Sequence, residues 1–436
     1  MSAARRRRPA RPARPRARAA ALALALVALL AGCGSSGVVE GGNNAFSATT
    51  LTVYTDLPLL GPDRTIGTSI ANGEELALYQ ARGHVGQLHI SIQELDGVAD
   101  PRIVSPVTPS TSRQTADSAH SAASDLSTIA YIGDLYSPST ALSLPLNNEN
   151  GILQLSPGSS YSGFTDSSSV APKGGPSRWY PNGTRTFARL VPADTVEAKA
   201  MLSYMRSLGV SRLDVVSDAE YPPFDSGIAH LVAADAPAAK ITLAGRQTKV
   251  STQSVSSPAR YAQLAASIAA THADGVLLGA APNAGADALF QELHAKLPKL
   301  KLFAASTLAT PSFLAGLGPA ASATYVTSPM LEPDQYPPAA QAVFARYRSA
   351  FPGAAVNAYV LYGYEAMSDV LRSIKLAGRF GARRQNVIGA FFNRLGARDG
   401  VLGSYTFNAQ GDTSLARFDG YRAGPGGTLV LVRPIN

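Results

Sequence analysis

The sequence predicts an α/β protein of two lobes, each a parallel sheet with helices on both faces. Two observations carry that expectation. Short apolar runs alternate with longer stretches of helical periodicity through most of the 436 residues, the pattern of parallel βαβ units. The alternation also runs twice, before and after about residue 192, in a chain long for one domain and natural for two.

Before the first apolar run stands a segment of another kind. Eight arginines between Arg5 and Arg18 precede the apolar stretch Ala19 to Leu30, and small residues then lead to Cys33, the only cysteine. A basic region, a short apolar region and a small-residue cleavage site make a secretory signal. The apolar stretch is too short to span a bilayer, which takes roughly 20 residues. Leu30-Ala31-Gly32-Cys33 resembles the bacterial lipobox, which implies that Cys33 is lipidated and begins the mature chain. Residues 1–32 are thus expected as signal peptide, and the Gly-, Ser- and Asn-rich residues 33–50 as a flexible tether.

The formal charge of +8 comes from 38 basic against 30 acidic residues. All eight leader arginines leave with residues 1–32 and no acid does, so the mature chain carries thirty of each sign. A nucleic-acid partner loses its support. A lone leader cysteine leaves no internal disulfide and no thiolate metal site.

Each later element has its own signal. Leu51 to Tyr54 and His89 to Gln93 are strand-like, with Ser69–Ala81 and Arg113–Leu126 as the helices that follow. Thr128–Gly133 reads as a buried strand ending in glycine. Asp194 with Glu197 three residues on is a capping-box pattern, and Val196, Ala200, Met201, Tyr204, Met205 and Leu208 then share one helical face. Leu213–Val216, Gly275–Gly279 and Leu300–Phe303 are strands, interleaved with helices around Tyr261–Ala269 and Ala286–Lys296. Pro338–Phe351, Ala358–Leu376 (stopped by Gly378) and Gln385–Leu395 are helices. Short strands follow from Gly403, with turns at Gly411 and Gly420. Residues 167–184 and 249–257 read as polar surface insertions.

Signals for catalysis are absent. The six histidines, His84, His89, His120, His230, His272 and His294, stand in no metal-ligand spacing, and the chain has no G-x-S-x-G elbow and no P-loop. Gly316-Leu-Gly318 follows no clear strand and does not continue as a dinucleotide fingerprint. No cofactor and no enzyme activity are expected.

Several segments, read in order, make a recognisable series. Pro58-Leu-Leu-Gly-Pro62 precedes Ala71-Asn72-Gly73, and Glu94-Leu-Asp96-Gly-Val-Ala-Asp100-Pro101 follows the next strand. Gly133-Asp-Leu-Tyr-Ser137-Pro-Ser-Thr140 leads to Gly151-Ile-Leu-Gln-Leu-Ser156-Pro-Gly-Ser159-Ser160. With Gly403-Ser-Tyr-Thr-Phe-Asn-Ala-Gln-Gly-Asp412, these resemble the leucine/isoleucine/valine-binding branch of the type I periplasmic binding proteins, from about Leu51 to the C-terminus. The resemblance implies two Rossmann-like lobes joined by a three-strand hinge that close on a small polar ligand and deliver it to an ABC permease. It implies a first lobe of residues 51–191 plus 329–403 and a second of 192–328 plus 404–436. The crossings are expected near 191–193, 326–328 and 401–404, in a monomer held to the membrane only through Cys33.

The fold places a ligand beyond the carboxyl ends of parallel strands. Ser137 and Ser139 stand there, before a helix that Ser137 would cap and whose first N–H groups suit a carboxylate. By the resemblance, Ser137 holds the ligand carboxylate, and Ser159 and Ser160 meet its amino and carboxylate groups. Tyr221 closes over the ligand from the second lobe, Tyr359 is a cleft aromatic, and Ile66 takes the place of a large side chain. Family members that bind amino acids present an acid after the strand at Leu300–Phe303, where this chain has Ala305-Ser306-Thr307. A buried ammonium without a charged partner is costly. Either Asp134, Glu220 or Asp225 serves instead, or the ligand has no ammonium. Positions that carry a disulfide in some members are Ala99 and Tyr136 here, and the second lobe shows the small Gly279-Ala-Ala-Pro-Asn283. A ligand-sensing lipoprotein and a degenerate interaction module remain as alternatives to transport.

Overall fold

The apolar runs become the strands of two sheets. The computed structural model describes residues 50–97, 109–167, 169–171, 173–219, 224–250, 258–280 and 285–435, and residues 42–436 form one compact unit. The leader, Cys33 and all of 33–50 except Thr50 lie outside the described residues, as do Ala99, Glu220 and Tyr221.

The first sheet takes β1 (Thr50–Leu57), β2 (His84–Val85), β3 (Leu88–Asp96), β4 (Thr128–Gly133), β5 (Leu153–Ser156) and β6 (Phe187–Arg189). Their spatial order is β2-β3-β1-β4-β5-β6, parallel throughout except for the β2–β3 pair. The connecting helices are α1 (Arg64–Gln80), α2 (Pro109–Ser124) and α3 (Ser137–Glu149). Every residue of β4 and β5 is buried, as a parallel strand covered on both faces requires.

In the second half α4 (Asp194–Ser207) leads into β7 (Arg212–Asp218), then α5 (Phe224–Asp235), β8 (Thr242–Leu243) and β9 (Thr248–Val250). Then come α6 (Pro258–Ala270), β10 (Gly275–Gly279), α7 (Ala286–Lys296), β11 (Lys301–Ala304), α8 (Pro311–Gly316) and β12 (Thr324–Ser328). The chain returns to the first lobe as α9 (Pro338–Ala350), α10 (Tyr359–Ala377) and α11 (Arg384–Arg394), followed by the antiparallel ribbon of β13 (Arg398–Gly400) and β14 (Gly403–Tyr405). It ends as β15 (Phe418–Ala423) and β16 (Leu429–Ile435), antiparallel on the edge of a second sheet ordered β16-β15-β12-β11-β10-β7-β8. The chain therefore passes between sheets after Arg189, after Ser328 and after Tyr405. Residues 326–328, expected at a crossing, are the last of β12.

The first core lies between β1, β3, β4 and β5 and the apolar face of α10, where Val360, Met367, Val370 and Ile374 are buried. Close approach of α1 and α10 depends on two glycines: a Cβ on Gly73 would strike the Val360 carbonyl, and one on Gly363 the Ile70 carbonyl.

Four local expectations need correction. Asp194 does not cap α4: the cap position is Ala193, without a side-chain bond, and Asp194 and Glu197 sit inside the first turn. The α3 cap is Tyr136, so Ser137 is the first helical residue. Gly420 makes no turn but lies within β15, opposite Thr327 and Arg433. Glycine is needed there because a Cβ would stand 2.6 Å from the Tyr204 ring. Residues 167–184 are not merely a surface insertion, since Val170, Trp179 and Tyr180 are buried in the same apolar cluster as Phe164, Met201 and Phe303. In this polar stretch three large side chains were enough to draw the backbone inward.

Candidate functional site

The loops that leave the parallel strands at their carboxyl ends, in both sheets, meet around one narrow space of about 40 Å³. The first sheet contributes Ile66 from the first turn of α1, Leu135 and Tyr136 after β4, and Gly158 and Ser160 after β5. Ser306, Thr307 and Thr310 come from the loop after β11, and Ser328, Pro329 and Met330 from the end of β12. Val191 and Pro192 of a crossing and Tyr359 at the head of α10 complete the lining. Size does not single this space out. A groove of about 840 Å³ on the outer end of the first sheet, between the β2–β3 hairpin and α10, is larger but is lined from the first lobe alone, whereas the narrow space takes residues from both sheets at their strand ends.

Four of the residues singled out from sequence, Ile66, Ser160, Ser306 and Tyr359, thus line one space. Ile66 is buried against Leu57, Ile70 and Leu135, with Tyr136 and Tyr359 packed beside it. Two others do not line it. The Ser137 hydroxyl oxygen accepts the Tyr161 N–H at 3.1 Å, which ties α3 to the loop after β5. Ser159 is fully buried, its hydroxyl against that of Thr140 and its carbonyl accepting from Arg189 Nη1 at 3.1 Å. Tyr221 lies outside the described residues.

Behind the wall stand acids that sequence reasoning did not place. Glu197 Oε1 accepts the Ser306 N–H at 2.6 Å and the Thr327 hydroxyl at 2.7 Å, and its Oε2 accepts the Ser306 hydroxyl at 2.7 Å. Burial pushes the Glu197 carboxyl up to about 7 against the pull of those donors. The Ser160 carbonyl accepts the Asp194 N–H at 2.8 Å, and the Ser160 hydroxyl and Arg189 partly offset the burial that raises the Asp194 carboxyl. In the first lobe Tyr136 donates its hydroxyl to Asp63 Oδ2 at 2.6 Å. Burial raises Asp63, and burial with the Asp63 charge raises Tyr136 well above the usual phenol range.

Of the three acids proposed from sequence, Asp134 is turned into the sheet, taking the hydroxyls of Tyr131 and Ser143. Glu220 and the Asp225 side chain lie outside the described residues. The signal for Glu197 was in the sequence, as an acid in a helix's first turn where the dipole favours it. Its partners at Ser306 and Thr327, more than a hundred residues away, left no local trace.

Arg189 organises the rear of the site. Fully buried, it donates to the Ser159 and Tyr161 carbonyls and to the Thr165 hydroxyl, and its Nε stands 2.9 Å from Asp412 as an ion pair rather than an aligned hydrogen bond. Among the described residues no Lys, Arg or His side chain lines the space, and no group of three or more His, Cys, Asp or Glu could hold a metal. Chemically, it offers an apolar patch beside a ring of hydroxyls.

A family model described as periplasmic binding protein matches residues 57–417. No curated protein sequence matches. Among solved structures, the chain is similar to the leucine-binding protein LivK of Thermotoga maritima, at 17% identity over 88% of this chain and 99% of that one, TM-score 0.69. It is similar also to a solute-binding protein of R. palustris in complex with benzoate, at 17% over 88% and 96%, TM-score 0.66. A third is the branched-chain amino acid protein LivJ of Streptococcus pneumoniae in complex with isoleucine, at 15% over 88% and 100%, TM-score 0.65.

Proposed function

The chain belongs to the periplasmic binding protein family, and from that premise we propose that it captures a small polar ligand between its lobes for an ABC permease. It is a solute-binding protein of an exported family and not an enzyme. The observation that carries the reading is the convergence of Tyr136, Ser160 and Ser306 from separate strand ends, and of Tyr359 from the head of α10, on one space between the sheets. Chain passages near Pro192 and Pro329 border that space, so rotation about them would open and close it. Contacts from both lobes then stabilise the closed form. Relatives of similar structure have been solved with isoleucine and with benzoate, which supports a branched-chain amino acid or related small molecule.

Native mass spectrometry and a thermal-shift screen of residues 34–436 with amino acids, amides and small carboxylic acids test this. A co-purified solute or a clear stabilisation, about 2.7 kcal/mol at 100 times Kd, is expected. Silence across the panel would refute it. One observation favours a second reading, an interaction module of fixed lobes: Tyr161 of the first lobe meets Phe224 of α5 edge-on at 4.9 Å, and such apolar contacts resist opening.

The proposal includes a lipid anchor at Cys33, supported by the lipobox resemblance; no described helix is long and apolar enough to cross a membrane. Changing Cys33→Ser in the full chain is expected to move the protein from the membrane to the soluble fraction. Unchanged membrane retention would exclude the anchor.

A further inference from the structure

The groove of about 840 Å³ between the β2–β3 hairpin and α10 shares no residue with the cleft lining. Ser368, Leu371, Arg372 and Lys375 stand at i, i+3, i+4 and i+7 and lay one stripe of α10 along it. His84, Val85 and Leu88 line it from the hairpin, and Arg379 and Arg398 add further charge. Leu371 and Ile374 are buried in the first core, with Ala81, Val85 and Leu88 packed against them, so the floor is apolar. Arg372, Lys375 and Arg379 are exposed and make a cationic rim. Among the described residues no Asp or Glu lines the groove, and these three cations enter no ion pair. Arg398 differs, since Asp369 at 2.6 Å and Glu365 at 3.1 Å already answer its charge. The chain after its leader carries thirty charges of each sign, so this is a local concentration and not a general excess. Like charges held together without counterions repel, and an anion among them relieves that cost.

We propose that this groove is a second binding site, separate from the cleft, for a single amphipathic anion: a carboxylate or phosphate head on an apolar chain. The head sits among Arg372, Lys375 and Arg379, and the chain lies along Leu371, Ile374, Val85 and Leu88. Arginine suits such a head because its paired N–H groups match the spacing of carboxylate and phosphate oxygens. The volume of about 840 Å³ is in the range of sites that enclose a small molecule. Depth favours a single molecule over a membrane surface. Ile374 is 1% exposed and Leu371 8%, so a flat surface resting on the rim does not reach the floor, whereas one chain entering the groove does. Phe380, exposed beside Arg379, extends the same chemistry past the end of α10, with the Arg379 and Arg383 guanidinium carbons 4.6 and 5.2 Å from its ring centre.

Isothermal titration of residues 34–436 with octanoate, octyl phosphate, acetate and octylammonium tests this. Acetate lacks the chain, and octylammonium reverses the charge of the head. Octanoate or octyl phosphate is expected to bind at least roughly tenfold more tightly than acetate and octylammonium. Whichever of the two binds names the head group, and silence of both overturns the proposal. Arg372→Glu combined with Lys375→Glu alters two exposed side chains and leaves the core intact. The double variant is expected to weaken the bound anion at least roughly tenfold, while Arg372→Lys, which keeps the charge, retains most of the affinity. Unchanged affinity in the double variant would place the anion elsewhere, in the cleft above all, and overturn the site. Octylammonium binding as tightly as the anions would overturn it too. Sedimentation of the protein with phosphatidylglycerol vesicles, without binding of either soluble anion, would replace it with a membrane-facing surface.

Discussion

Glu197 is 1% exposed and has no cation among its hydrogen-bond partners, so burial dominates its protonation. Its carboxyl is raised from 4.5 to about 7, and burial also lifts Asp134 to about 6 and Asp369 to about 7. A carboxyl raised in this way holds its proton better folded than unfolded. Its contribution to stability is therefore present in acid and lost as pH rises from the ordinary carboxylate range through about 7. Thermal unfolding is expected at a higher temperature near pH 5 than near pH 8. Glu197→Gln, which cannot ionise, should remove its own share of that slope, up to roughly 3 kcal/mol. A slope identical in the variant and the unaltered protein would show that Glu197 titrates normally.

At the scale of elements, glycine has opposite meanings in two helices of the same lobe. Gly363 in α10 lets the backbone of α1 approach, and a Cβ there would strike the Ile70 carbonyl. Gly389 in α11 has nothing within 4 Å of where a Cβ would be. Gly363→Ala is accordingly expected to destabilise by about 1–3 kcal/mol through overpacking. Gly389→Ala should stabilise by about 0.5–1 kcal/mol, because alanine suits a helix interior better. Chemical denaturation of the two variants measures both signs, and a common sign would refute the packing argument. Neither role can be read from the helical periodicity, in which both positions are simply weak helix formers. The capping-box pattern misled for a related reason: an acid three residues after another also fits a first turn whose carboxylates are drawn to partners elsewhere in the fold.

For the whole molecule, local chemistry decided the architecture and distant contacts decided the site. Apolar runs such as Thr128–Gly133 and Gly275–Gly279 must be buried wherever they lie, and helical periodicity between them leaves parallel sheets as the way to bury them. The α/β class and most element positions were therefore written in the sequence. Ile66, Ser160, Ser306 and Tyr359 were named through the family resemblance, and they share the lining of one space. Tyr136, Asp63 and Glu197 were not legible, because their significance is a hydrogen bond to a residue far along the chain. Nor was the inward packing of Val170, Trp179 and Tyr180, hidden in a stretch of serine, glycine and proline. Hydrophobic periodicity is a property of neighbours in sequence and survives without a structure; the direction in which a hydroxyl spends its single proton is a property of neighbours in space, and only the folded chain assigns it.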